Sequence, residues 1–145
     1  MNDLPGALIQ LRRALRPDGL FLASFPALGT LAELRTALTS AEADVLGGAS
    51  PRVSPFPALG DLAGLLGRAG FALPVADVEE LTLSYADPLA LLRELRWAGE
   101  ANAVAQRSRA VPPADLFARA AALLLGPDGR SRVTLRLATV TGWAG

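Results

Sequence analysis

The stretch that decides the fold runs from Leu15 to Phe25 and reads LRPDGLFLASF. Its first half ends a helix, because Pro17-Asp18-Gly19 supplies the turn chemistry that stops a helical segment. Its second half, Leu20–Phe25, is a short apolar run that suits a strand covered on both faces, as in a parallel sheet. The alternative is a buried turn of helix. A helix, a Pro-Asp-Gly turn and an apolar strand commonly follow one another in α/β proteins, so the stretch predicts that class.

Further helices and strands are predicted on both sides of this stretch. Leucine periodicity and cap residues predict five helices, at about 3–16, 31–46, 58–69, 87–99 and 113–125. Alternating apolar and polar residues predict two more strands, Phe71–Tyr85 and Val133–Ala138. The last strand is expected to pair with Phe71–Tyr85 or to lie beside Leu20–Phe25. The segment from Gly47 to Pro57, rich in proline and glycine, is expected to be a loop.

The predicted elements form one α/β domain over residues 1–145, but its sheet is thin. Three strands are few for five helices in an α/β layer arrangement. We therefore expect that another chain completes the sheet or that half a domain is missing.

The composition excludes several classes of site. The 145 residues are 51% apolar and 19% charged, which is enough to bury a core, and 14 basic and 14 acidic residues give zero net charge. The chain has no Cys, His or Lys, so thiolate, imidazole, Schiff-base and phosphate-loop lysine chemistry are excluded, and no metal site is expected. No apolar run reaches the roughly 20 residues of a membrane helix, and the start does not resemble a signal peptide. We expect a cytoplasmic protein that binds neither membrane nor nucleic acid.

Two short motifs have structural interpretations that compete with functional ones, and a third motif is structural only. The segment Gly64–Gly70 superficially resembles a nucleotide loop, but it lies inside a predicted helix and is better explained as that helix and its end. Asp77, Glu79 and Glu80 could share acid–base work, although strand alternation favours a solvated edge. Thr30 and Glu33 have the spacing of a capping box at a helix start.

The stretch from Arg93 to Arg109 is the best place in the sequence to look for recognition. It is polar and weakly periodic, and its arginines surround Trp97, Glu100 and Asn102. Arginine beside an aromatic residue can bind phosphate, carboxylate or nucleic acid. The alternative is an amphipathic helix with a solvated arginine face and Trp97 packed beneath it.

Several segments together resemble the class I S-adenosylmethionine-dependent methyltransferases. Asn2–Leu8 and Leu15–Leu22 resemble the helix, Arg-Pro-Asp-Gly turn and fifth strand of that family, a widespread motif. Gly47–Phe56, Leu66–Phe71 and Gly99–Ala103 resemble one branch more specifically. That branch includes a complex I assembly factor described as an arginine hydroxylase, and it relates to the malonyl-carrier-protein methyltransferases. The resemblance covers nearly the whole chain.

The resemblance implies an incomplete Rossmann-like sheet of strands five, six and seven, with a lid-like helical insertion at 87–126. The family's cofactor loop precedes the point where this chain begins, so the chain is expected to be the C-terminal, substrate-side half. The resemblance implies that the full-length relatives use S-adenosylmethionine. It also implies that this chain alone neither binds S-adenosylmethionine nor transfers a methyl group. The implied substrate-side residues are Ser24, Phe25, Ser50, Arg52, Ser54, Phe56, Tyr85, Trp97, Glu100 and Asn102.

The expected partners follow from the missing strands. In the family's fold, Leu20–Phe25 would pair with strand four on one side and strand seven on the other. Without strand four, its apolar edge is a template for pairing. We therefore expect either a homodimer or association with a missing N-terminal half. The alternative function is a non-catalytic interaction module that docks on a partner protein.

Overall fold

The structure is a computed structural model that describes residues 3–100 and 107–145. Its helices are α1 (Leu4–Ala14), α2 (Ala32–Leu46), α3 (Leu59–Arg68), α4 (Pro88–Trp97) and α5 (Ala114–Leu124). Its strands are β1 (Gly19–Pro26), β2 (Phe71–Tyr85) and β3 (Ser131–Ala144), which form one antiparallel sheet in the order β1-β3-β2. The mixed α/β class is thereby confirmed, and so are the three strands and five helices predicted for the described part of the chain.

Local cap chemistry begins and ends several helices as predicted. The Asp3 carboxylate accepts a hydrogen bond from the Gly6 amide (2.9 Å), and Asp87 accepts one from the Leu89 amide (2.9 Å). Each cap precedes a proline in the first turn, where a missing amide costs nothing. Gly70, at φ +92°, follows the end of α3. The segment Gly64–Gly70 is therefore a helix with its terminating residue, as the structural reading predicted.

The capping box predicted at the start of α2 does not form. The Thr30 hydroxyl donates to the Arg136 carbonyl (2.9 Å) and accepts from the Arg136 amide (3.0 Å). The Glu33 carboxylate instead accepts from the amide (3.0 Å) and hydroxyl (2.6 Å) of Thr134. Both side chains thus satisfy backbone groups of β3. Leu31, in a left-handed conformation at φ +54°, precedes α2 without a side-chain cap.

Strand β1 pairs along its whole length with β3, and one of its faces is open. The antiparallel register runs without a break from Gly19 opposite Ala144 to Pro26 opposite Leu137. Phe21 and the alternate residues after it pack against a core cluster, whereas Leu20 is 49% and Leu22 is 64% exposed. The cover on both faces predicted for this strand is therefore wrong. Continuous apolar residues show that a strand can be buried, but not which elements are present to bury it.

The chain folds into two compact units. Unit 1 comprises Met1–Thr30, Phe56–Glu80 and Arg136–Gly145, and unit 2 comprises Leu31–Pro55 and Leu81–Leu135. Each has its own core. The core of unit 1 includes Leu8 of α1, Leu62 and Leu66 of α3 and Val140 of β3. The core of unit 2 is built mainly where α2 and α5 pack together, and its fully buried members are Ala41, Leu91, Leu116, Ala120 and Val133.

Candidate functional site

A buried carboxylate on α2 organises the loop that follows that helix in unit 2. Glu42 accepts hydrogen bonds from the amide and the hydroxyl of Ser50, both at 2.8 Å, and from Nη2 of Arg52 at 2.6 Å. The Glu42 side chain is only 3% exposed and that of Arg52 15%. The two predicted residues Ser50 and Arg52 therefore lie together, on a partner that the sequence analysis did not name.

The electrostatics of this cluster favour an ionised glutamate. Burial by itself raises the pKa of the Glu42 carboxyl, but the hydrogen bonds from Arg52 and Ser50 outweigh burial and hold the pKa below its ordinary value. Nε of Arg52 is buried without a hydrogen-bond partner. The cluster is thus a charged pair with one guanidinium donor still unsatisfied. It fixes the loop backbone, and most of the charge of Arg52 is already matched by Glu42.

The other two predicted loop residues have different environments. Ser54 is half-buried, and its carbonyl accepts a hydrogen bond from Nη2 of Arg35 on α2 (3.0 Å). Phe56 is half-buried and belongs to unit 1. A second contact between α2 and the loop is therefore this hydrogen bond, and its acceptor is the backbone carbonyl of Ser54 rather than the side-chain hydroxyl.

The end of β1 carries two of the three predicted residues of unit 1, Ser24 and Phe25. The Ser24 side chain is exposed and its residue lies opposite Thr139 of β3. Phe25 lies opposite Ala138 and packs against the core cluster of unit 1. Ser24 is available to a ligand on the open face of the strand, whereas Phe25 serves mainly the core.

Tyr85, at the end of β2, makes a short hydrogen bond within unit 2. Its hydroxyl donates to Oε2 of Glu94 on α4 at 2.7 Å. Burial first, and then the Glu94 carboxylate, raise the pKa of Tyr85 to about 12. A second pair lies on the same helix, where Nη2 of Arg93 donates to the Asp87 carboxylate at 2.6 Å. Tyr85 is thus a neutral phenol at physiological pH that is already committed to one acceptor.

The C-terminal end of α4 presents Trp97 to solvent. The Trp97 side chain is 80% exposed, so the prediction that it packs beneath the arginines is wrong. Glu100 is also exposed, and its amide donates to the Leu95 carbonyl at 2.8 Å. Asn102 lies outside the described residues. The arginine-rich stretch therefore offers an exposed indole to solvent.

The carboxylates of β2 form the solvated edge that the sequence predicted. Asp77, Glu79 and Glu80 are all exposed, and Glu80 is paired with Nε of Arg136 at 3.4 Å. Shared acid–base work needs two carboxyl groups in different environments, whereas all three of these side chains are exposed to solvent.

Unit 2 also contains a groove that the sequence analysis did not identify. Its volume is about 600 Å³, and it lies between α2 and the segment that joins α5 to β3. Its polar lining residues are Glu33, Thr36, Ser40, Arg130 and Arg132. Arg130 donates to the Ser84 hydroxyl (2.8 Å), and Arg132 is paired with Asp128. No local sequence signal could have revealed the groove, because its two sides are about ninety residues apart along the chain.

The described residues do not fit a nucleotide-type cofactor such as S-adenosylmethionine. Such a cradle needs a glycine-rich turn between a strand and the start of a helix. In the part of the chain that the structure describes, two connections have that order, 27–31 and 86–87, and they contain a single glycine, Gly29. A Cβ on Gly29 would lie 2.7 Å from Cδ of Arg136, so an arginine side chain already fills the space beside it.

None of the helices in the described ranges is both long enough and apolar enough to cross a bilayer.

Known proteins similar to this chain carry two names. The chain is 36% identical to the arginine-hydroxylase NDUFAF5, mitochondrial, of Danio rerio, over 99% of this chain and 46% of that protein. The human protein of that name is 37% identical, over 99% of this chain and 42% of that protein. The malonyl-[acyl-carrier protein] O-methyltransferase of Xylella fastidiosa is 39% identical, over 84% of this chain and 39% of that protein. The resemblance noted in the sequence is confirmed, and the homologues are proteins of these two kinds.

The chain spans less than half the length of these relatives. No protein-family model matches it. Among solved structures, the YcgJ protein of Bacillus subtilis superposes with a TM-score of 0.55 at 14% identity, over 99% of this chain and 58% of that one. That similarity shows a shared fold alone.

Proposed function

We propose that this chain forms the C-terminal, substrate-side segment of an S-adenosylmethionine-dependent methyltransferase-like protein. The observation that carries the proposal is the pattern of coverage. The chain aligns over 99% of its length with the hydroxylase relatives but occupies only 42–46% of the animal proteins. Under this proposal the cofactor is held by the part of such a protein that this chain does not cover, and we expect the chain by itself neither to bind the cofactor nor to transfer a methyl group.

The sheet supports the proposed correspondence. In the family's fold, the fifth strand pairs on one side with the seventh. Here β1 pairs antiparallel with β3, the last strand in the chain, and β3 lies between β1 and β2. Under the proposal β1, β2 and β3 are strands five, six and seven.

The residues proposed to contact the methyl acceptor differ in how they are held and in how exposed they are. Methyl transfer in the full-length relatives depends mainly on positioning two reactants. Glu42 fixes the loop that carries Ser50 and Arg52, and it thereby holds both side chains in place for an acceptor. Tyr85 and Trp97 lie on or beside the 87–126 insertion, which we propose as a lid. Because Trp97 is exposed, it can cover an acceptor without first breaking a core contact.

Calorimetry with S-adenosylmethionine tests the proposal. We expect no heat of binding when the cofactor is added to the 145-residue chain. The Xylella fastidiosa methyltransferase, measured under the same conditions, is the positive control. Binding to this chain alone at low micromolar affinity would contradict the proposal.

One observation favours a second candidate, a non-catalytic protein-interaction module. The 80% exposed Trp97 lies beside exposed arginines, and exposed tryptophan and arginine are the side chains most enriched at interface hot spots. A stable partner that is recovered with the wild-type chain and lost with Trp97→Ala would favour the module. Recovery of a cofactor-binding polypeptide, or of nothing, would favour the segment. The cytoplasmic location stays a prediction, since the hydroxylase relatives are named as mitochondrial.

A further inference from the structure

The groove beside α2 in unit 2 has the dimensions of a small-molecule site. One wall is a face of α2 that runs from Ala32 to Ser40, and the other is the segment from Leu123 to Arg132. The helical wall is roughly 12 Å long, from the rise per residue of an α-helix. A volume of about 600 Å³ lies within the range of known ligand pockets. The residues that line the groove are distinct from those of the proposed substrate side.

A tight turn holds the second wall in place. The Gly126 amide donates to the Arg130 carbonyl at 2.9 Å, and the Gly129 amide donates to the Gly126 carbonyl at 3.0 Å. Leu125 and Ser131 form a bridge across the turn. The backbone around Arg130 is thereby fixed, and with it the point from which the Arg130 side chain enters the lining of the groove.

Arg130 lines the groove with a cation that, among the described residues, has no acidic partner. Its Nε donates to the Ser84 hydroxyl at 2.8 Å, and its Nη2 donates to the Ser84 carbonyl at 3.2 Å. Ser84 thus orients the guanidinium without neutralising it. Nη1 and the second proton of Nη2 remain to donate in parallel to the two oxygens of one carboxylate.

The other charged side chains of the lining are already matched. Arg132 is paired with the Asp128 carboxylate. The Glu33 carboxylate accepts hydrogen bonds from the amide and the hydroxyl of Thr134, and it lies in the first turn of α2, where the helix dipole favours a negative charge. In the described lining, Arg130 is therefore the charge that remains for an anionic ligand.

Much of the remaining lining is apolar. Leu123 is 47% and Leu125 is 46% exposed, and Ala37 and Leu124 also line the groove. Covering exposed leucines with an apolar group removes their surface from water. A ligand that matches both parts of the lining carries a carboxylate and an aliphatic chain.

We propose that this groove binds a medium-chain aliphatic carboxylate, with its carboxylate on Arg130 and its chain against Leu123 and Leu125. One guanidinium without a carboxylate partner in the described chain matches one singly charged carboxylate. A phosphate monoester would bring more negative charge, for which the described lining has no second unmatched cation. The proposal concerns a second site and does not depend on the proposed methyltransferase relationship.

Titration calorimetry with octanoate tests the site on the 145-residue chain. We expect saturable binding of one octanoate per chain. Octanol lacks the charge and acetate lacks the chain, so each should bind at least about tenfold more weakly than octanoate. A dissociation constant for octanoate above about 1 mM, or equal binding of either reference compound, would overturn the proposal.

Two variants and a control locate binding in the groove. Arg130→Gln removes the guanidinium, and Ser40→Trp fills the groove from an exposed position on α2. We expect each to raise the dissociation constant of octanoate about tenfold or more. Arg119→Gln removes the same charge from a 56% exposed arginine of unit 2 outside the lining, and we expect a change of less than about twofold.

Circular dichroism of all three variants checks that the fold is kept. Unchanged octanoate binding by Arg130→Gln, or equal weakening by Arg119→Gln, would contradict a site in the groove. If Arg130→Gln does not fold, Ser40→Trp decides the question, because that position is exposed on the helix.

Discussion

At the scale of single residues, the pair of Tyr85 and Glu94 shows how burial and charge act on one group. The phenol donates a 2.7 Å hydrogen bond to a carboxylate, and the phenolate would lose that bond and meet a negative charge in its place. Burial, which disfavours the charged form, contributes most, and Glu94 adds to it. Tyr85 therefore cannot act as a base near neutral pH, and at the proposed substrate site its hydroxyl oxygen can accept a hydrogen bond while its proton stays with Glu94.

The titration of Tyr85 can be followed without interference from another tyrosine, because the chain has only one. We expect the ultraviolet absorbance of the tyrosinate to rise with a midpoint near pH 12 rather than at the ordinary pKa of 10.0. Because the pKa in the folded chain is the higher one, the pair's contribution to stability is complete below pH 10.0 and is lost as the pH rises toward 12.

Two substitutions separate the causes of this shift. Glu94→Gln removes the carboxylate charge, so Tyr85 should titrate with a lower midpoint in this variant than in the wild type. Glu79→Gln removes an exposed charge from β2 and should leave the midpoint unchanged. A wild-type midpoint at pH 10.0 would contradict the environment described for Tyr85.

At the scale of elements, the loop after α2 is held by a side chain within the helix. Glu42 ties down both Ser50 and Arg52, while Arg35 holds the Ser54 carbonyl. An eleven-residue segment rich in proline and glycine is thereby attached at three points to one helix. The ordering of this loop, which carries four of the ten proposed substrate-side residues, thus depends chiefly on Glu42.

Glu42→Gln should therefore destabilise the chain markedly. The substitution leaves the guanidinium of Arg52, which is 15% exposed, without its counter-charge, and we expect a loss of about 3 kcal/mol in the free energy of unfolding. Because the pKa of Glu42 is lowered, its contribution is present above its ordinary value of 4.5 and is lost as the pH falls below it. Urea unfolding at neutral and acidic pH measures both the loss on substitution and the loss on acidification. The stability of Glu42→Gln should fall less than that of the wild type when the pH is lowered.

Asp44→Asn is the matched control for this prediction. Asp44 lies two residues further along α2, and its pair with Arg119 is about half exposed on both sides. Exposed pairs contribute less than about 1 kcal/mol, so the control should unfold at nearly the wild-type urea concentration. If the two variants lost similar free energies of unfolding, burial of the Glu42 pair would not be the cause of the destabilisation.

At the scale of the whole molecule, features fixed by neighbouring residues could be predicted from the sequence. Asp3 and Asp87 cap helices through amides two or three residues away, so spacing alone identifies them. Thr30 and Glu33 show the limit of this reasoning. Their spacing suits a local capping box, but their acceptors and donors on β3 lie more than a hundred residues away, and the sheet brings those groups to them.

The candidate site was predictable in its position along the chain but not in its partners. Proline and glycine indicated the loop of Ser50 and Arg52, whereas their shared partner Glu42 required the tertiary structure. One signal was available, since Glu42 follows Leu38 and Ala41 on the apolar face of α2 and a charged residue on such a face needs a partner. For Trp97, the amphipathic-helix interpretation predicted burial beneath the arginines, whereas the side chain is 80% exposed.

A chimera tests the central claim most directly. In the Xylella fastidiosa methyltransferase, the part aligned with this chain is replaced by the chain itself, and binding of S-adenosylmethionine is measured by calorimetry. The parent protein and the parent lacking that part are the controls. If the chain is equivalent to the substrate-side segment, the chimera should bind the cofactor within about tenfold of the parent affinity, and the truncated parent should not. A soluble, folded chimera that binds no better than the truncated parent would contradict the account.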